Sequence, residues 1–101
     1  MERLGYEFPA SRTIERRAHV GVVGSGDLEV LIEPTKDQKA RIDICTSVDG
    51  FSQTWQIVVN RFVTRFPYAA AIEIRDFGAT PGIVLLRLEQ AMEKALRDDG
   101  S

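Results

Sequence analysis

The chain has 101 residues, enough for one small domain, and its 13 Lys plus Arg against 15 Asp plus Glu leave a formal net charge of −2. That near-neutral balance, with cations scattered along the chain, excludes the basic footprint of a general nucleic-acid binder. An apolar content of 44% excludes a wholly disordered chain, while a domain this small buries only about two-thirds of its unfolded surface and has little material for a deep catalytic cleft.

The opening run, MERLGYEFPASR, interleaves acidic and basic residues and has no apolar core segment, so it does not read as a secretory signal. Residues 4–8 alternate as a short edge strand closed by Pro9, which cannot donate to a ladder. Ala18 to Val23 is small and β-branched, and Leu28 to Glu33 alternates with the strand period of two. Between these runs lies Gly24-Ser25-Gly26-Asp27, the composition of a hairpin turn, since glycine tolerates the positive φ that tight turns require. Ala40 to Thr46 alternates again and is expected to be the third strand of a meander.

After Asp49-Gly50 the period changes. Trp55, Val58, Val59, Phe62, Val63 and Phe66 recur at helical spacing, with Ser52 as the expected cap and Pro67 as the stop. Ala70 to Arg75 returns to strand alternation, followed by an Asp76-Phe77-Gly78-Ala79 loop in which Phe77 is expected to pack inward. Thr80-Pro81 reads as N-cap and first residue of a second helix reaching Leu96, because proline has no N–H to waste there. Its buried stripe is Val84, Leu85, Leu88, Ala91, Met92 and Ala95; Arg87, Glu89, Gln90, Glu93 and Lys94 form the wet face. The strand, helix, strand unit from Ala40 to Arg75 calls for a right-handed parallel crossover. The expected fold is therefore α+β, a two-layer sandwich of one mostly antiparallel sheet of four to five strands with two helices on one face. Residues 1–101 form one domain, with 97–101 as a loose tail.

Candidates for chemistry are few. One cysteine, Cys45, cannot form an internal disulfide and fits a reducing cytoplasm. One His and one Cys do not make a zinc ligand set or an oriented nucleophile pair, so no metal and no catalytic residue is expected. No apolar run approaches the ~20 residues that span a bilayer, and no membrane partner is expected. Asp76-Phe77-Gly78 matches the metal-binding tripeptide of protein kinases, but the Gly-rich loop and lysine context are missing and the match is fortuitous. His19 has no carboxylate placed beside it by sequence, and Asp27, Glu29 and Glu33 read as a solvated strand face. The N-terminus behind Thr80-Pro81-Gly82 is a generic anion site at most. Ser25, between two glycines, is an exposed turn hydroxyl with no activating base, which suits it to being modified rather than to attacking.

Two blocks taken together, residues 23–34 (VGSGDLEVLIEP) and 74–84 (IRDFGATPGIV) leading into Arg87–Ala91, resemble the acyl carrier (delta) subunits of bacterial malonate decarboxylases, relatives of the citrate lyase gamma chain. The likeness covers nearly the whole chain, including the Thr46–Gly50 turn and Trp55. It implies a carrier without catalysis of its own, acting with the transferase and decarboxylase subunits, a malonyl transferase and a prosthetic-group transferase. It also implies a covalent 2'-(5''-phosphoribosyl)-3'-dephospho-CoA arm, joined by a phosphodiester to the serine matching Ser25. Gly24, Gly26 and Asp27 would then shape the turn, Asp27 either orienting the hydroxyl or reading the attaching enzyme, or simply starting the strand. In citrate lyase relatives this turn is more like Ser-Ser-Asp, so Gly-Ser-Gly-Asp favours the malonate family. A citrate lyase carrier and a non-covalent adaptor whose tip is only a turn are the alternatives.

Overall fold

The computed structural model describes residues 1–21 and 27–96. Six strands and two helices follow in the order β1 (Glu2–Pro9), β2 (Arg12–Thr13), β3 (Ala18–Gly21), β4 (Leu28–Pro34), β5 (Lys39–Thr46), α1 (Ser52–Arg65), β6 (Tyr68–Asp76) and α2 (Pro81–Leu96). The main sheet runs β1-β5-β6-β4-β3, with the two-residue β2 pairing separately with the start of β6. Three of its neighbour pairs are antiparallel and β5–β6 is parallel, as is the short β2–β6 bridge, so the six-stranded sheet is mixed.

Strand alternation decides the two faces. In register, Leu4, Ile44, Ile74, Val30 and Val20 form one row across the sheet, and Tyr6, Ile42, Ile72, Ile32 and Ala18 the next. These rows meet Trp55, Val58, Val59 and Phe62 of α1 and Val84, Leu88, Ala91, Met92 and Ala95 of α2 in one buried cluster. Both helices therefore lie on the same face, as the stripe spacing requires. The opposite parity, with rows such as Arg3, Cys45, Arg75 and Glu29, leaves the other face polar.

The meander expectation fails at one point: β5 does not pair with β4, because β6 lies between them. Pro34 and Ala40 both pair with Ala70, from opposite sides. The connection over residues 35–38 thus spans two strand spacings, about 10 Å, and the parallel crossover through α1 fills the gap. β6, with Ala69, Ala70, Ile72 and Ile74 buried, is the apolar strand suited to that central position.

Three local expectations also change. The α1 N-cap is Phe51, with no side-chain capping bond, and Ser52 is the first helical residue. Phe77 follows the buried Asp76 and so takes the parity of the open face, beside Arg3, Cys45 and Arg75, instead of packing inward. Arg87 leaves the wet stripe to bond Asp27. At α2 the Thr80 cap holds: its carbonyl accepts the Val84 N–H at 3.0 Å and its hydroxyl oxygen accepts the Ile83 N–H at 3.4 Å. No helix is long and apolar enough to cross a membrane among the described residues. The tail expected at 97–101 lies outside the described residues.

Candidate functional site

One end of the sheet gathers the residues that matter. There Thr46 pairs with Asp76 and Asp76 with Leu28, so the carboxyl ends of β5 and β6 meet the start of β4. Asp76 is 4% exposed and fully bonded: the Thr46 hydroxyl donates to Oδ2 at 2.8 Å and the Ala79 N–H to Oδ1 at 2.9 Å. A buried carboxylate is stable only when so satisfied. This one joins two strand ends to the turn that launches α2, and Gly78, at φ 98, supplies the left-handed residue of that turn.

The β3–β4 hairpin opens beside this knot. Asp27 is held from three directions. Its Oδ1 accepts the Leu28 N–H at 2.7 Å, its carbonyl accepts the Phe77 N–H at 2.9 Å, and Arg87 of α2 forks onto the carboxylate with Nε on Oδ1 and Nη2 on Oδ2, each at 3.3 Å. The Arg87 hydrogen bonds, followed by the Leu28 N–H, keep the Asp27 carboxyl below its ordinary pKa. On the other limb Gly21 has φ 97, and a Cβ there would sit 2.1 Å from the Leu28 carbonyl oxygen, so only glycine fits. Of the expected attachment residues, Asp27 is thus a fixed stem residue. Gly24, Ser25 and Gly26 lie outside the described residues.

His19 and Glu29 come together where sequence placed no partner: His19 Nε2 and Glu29 Oε2 are 2.7 Å apart on the open face. Glu29 also faces Arg75 at 4.0 Å, and Arg75 bonds Glu73 at 3.2 Å. Glu33 pairs with Arg17 at 3.3 Å. The three carboxylates are therefore not one cluster, since each has its own cation. Cys45 faces the same open side. Among the described residues no group of three or more His, Cys, Asp and Glu is placed to hold a metal ion.

A cleft of about 240 Å³ opens at the same sheet end, between the first turns of the two helices, with Trp55, Val58 and Val84 on its walls and Val48 and Phe51 beside them. Sequence reasoning missed Arg87, Thr46 and this cleft. Arg87 sits at a helical position adjoining the buried stripe, which is the one signal that could have marked it.

The site is thus a small two-layer α+β domain that anchors the stem of one hairpin, with Asp27 fixed by Arg87 and Asp76 by Thr46, and with no metal-holding cluster among the described residues, the outline of a presenting module rather than a catalytic one. The family model for the malonate decarboxylase delta subunit (MdcD), an acyl carrier protein family, matches residues 15–95. The malonate decarboxylase acyl carrier protein of Pseudomonas syringae pv. tomato is 52% identical over 97% of this chain and 100% of its own length. That of Azotobacter vinelandii is 50% identical over 93% and 96%. A chain in the crystal structure of a Pseudomonas malonate decarboxylase hetero-tetramer in complex with malonate superposes with a TM-score of 0.88 at 52% identity, covering 94% of this chain and 99% of that one. The chain belongs to the malonate decarboxylase delta subunit family, whose members are carrier and not catalytic subunits.

Proposed function

We propose that this chain, as a single domain over residues 1–101, is the acyl carrier subunit of a malonate decarboxylase, bearing a phosphoribosyl-dephospho-CoA arm through a phosphodiester on Ser25. The observation that carries it is similarity at about half identity along almost the full length of chains named for that role. When attached, such an arm supplies a terminal thiol that holds an acyl group as a thioester. The protein's own residues do the positioning. Asp27, two residues beyond Ser25, is clamped by Arg87, Leu28 and Phe77, and Gly21 closes the opposite limb, so the attachment loop springs from fixed stems. Gly24 and Gly26, having no side chains, would let the attaching enzyme approach the serine closely.

Its partners in this reading are the transferase and decarboxylase subunits, a malonyl transferase and the prosthetic-group transferase, and its compartment is the cytoplasm, which suits the one unpaired Cys45. The tethered arm raises the acyl group's effective concentration at each partner site in turn. Intact mass spectrometry of protein co-produced with the prosthetic-group transferase tests the proposal. One arm per chain is expected, lost in Ser25→Ala; an arm retained by Ser25→Ala overturns the assignment.

A further inference from the structure

The cleft at the sheet end adjoins the stem of the β3–β4 hairpin. Asp76, on its wall, is the register partner of Leu28, and Phe77 bonds Asp27. With Cα atoms 3.8 Å apart, the Ser25 Cα lies no more than about 7.6 Å from that of Asp27. An arm joined to Ser25 would therefore start within two residues of a stem that adjoins the cleft.

Size and charge restrict what enters. At about 240 Å³ the cleft falls below the ~300–1,000 Å³ of pockets that enclose a whole drug-sized ligand, and suits only the end of an arm. Its walls are Trp55, Val58 and Val84, and its mouth has Val48 and Phe51, 38% and 50% exposed. Among the described residues no Lys, Arg or His lines it. Among the described lining residues the one formal charge is Asp76, whose two oxygens already accept from Thr46 and Ala79. At the start of α2, Pro81 has no N–H and the Ile83 and Val84 N–H groups already bond Thr80. A carboxylated acyl group would enter largely apolar walls beside the Asp76 carboxylate with no cationic side chain among the described lining residues, at a desolvation penalty.

We propose that this cleft is a resting site for the arm's own thioester end, taking an uncharged acyl group such as acetyl and refusing a carboxylated one such as malonyl. The carrier would shelter the uncharged thioester from water and leave the carboxylated form displayed to its partners. This inference rests on the carrier reading and deepens it.

Trp55 is the only tryptophan, so its indole N–H is a single reporter in the cleft wall. Protein carrying the arm, confirmed by intact mass, is compared by NMR as the S-acetyl, S-malonyl and bare forms. The S-acetyl form should shift the Trp55 indole and the Val58 and Val84 methyls, and the S-malonyl form should match the bare protein. Cleavage of the S-acetyl group by hydroxylamine should slow about fourfold at three-quarters occupancy, because only the unbound fraction reacts. Thr54→Phe, filling the cleft from α1, and Val48→Asp, charging an exposed rim position whose replacement spares the core, should each restore both signals to those of the bare cleft. Equal shifts for acetyl and malonyl forms overturn the charge selection. An arm present by mass with no shifts and no slowing overturns the cleft while the carrier reading stands, whereas no arm by mass overturns both.

Discussion

Asp27 concentrates the residue-scale chemistry. Its carboxyl is held below the usual range chiefly by Arg87, so the unfolded chain binds the proton more readily than the folded one. The pair's contribution is therefore full above the ordinary Asp value of about 4 and is lost as pH falls through the lowered folded-state value. Melting temperatures of the native protein and Asp27→Asn should differ near neutral pH and converge in acid; a constant gap across that range would show that Arg87 does not set the stability of this stem. Gly21 acts by shape alone, because the Leu28 carbonyl occupies the space a side chain would need. Asp76 differs from both: it is buried and spent on Thr46 and Ala79, a joint between β5, β6 and α2 rather than a reactive group.

Helices α1 and α2 hold the sheet through one stripe each. Phe62 is 0% exposed and stacks obliquely on Phe66, with ring centroids 5.7 Å apart, while Ile57 on the same helix is 58% exposed. Phe62→Ala should cost about 3–5 kcal/mol, and Ile57→Ala should stay within about 0.5 kcal/mol, both read from urea unfolding. A comparable loss at the two positions would mean that the outer face of α1 is covered by something beyond this chain. The strands divide their work by parity. One parity builds the core, and the other sets Arg3, Cys45, Arg75 and Glu29 on the opposite face.

The whole molecule depends on β1 closing the sheet. All eight of its residues pair with β5, and Leu4, Tyr6 and Phe8 pack against the core from that edge. Removing residues 1–9 would expose the unpaired edge of β5, a template for association. Light scattering should show concentration-dependent oligomers and a lower melting temperature for the truncated chain; a monomer of unchanged stability would make β1 dispensable. The element types, the alternation of β4, β5 and β6, the two buried stripes and the Thr80 cap were all legible in the sequence, because each is encoded within a few residues. So was the likeness of the two blocks that point to Ser25, although residues 24–26 lie outside the described structure. Strand order was not legible: β5 follows β4 in the chain, and only packing of the crossover helix seats β6 between them. Arg87 and Asp27 are 60 residues apart, and Thr46 and Asp76 are 30 apart. No local period encodes such meetings. The sequence by itself determined which faces are apolar and which family the chain resembles, while only the tertiary structure decided that two helix starts and two strand ends enclose a cleft beside the hairpin, since a concave surface exists only after distant segments have packed.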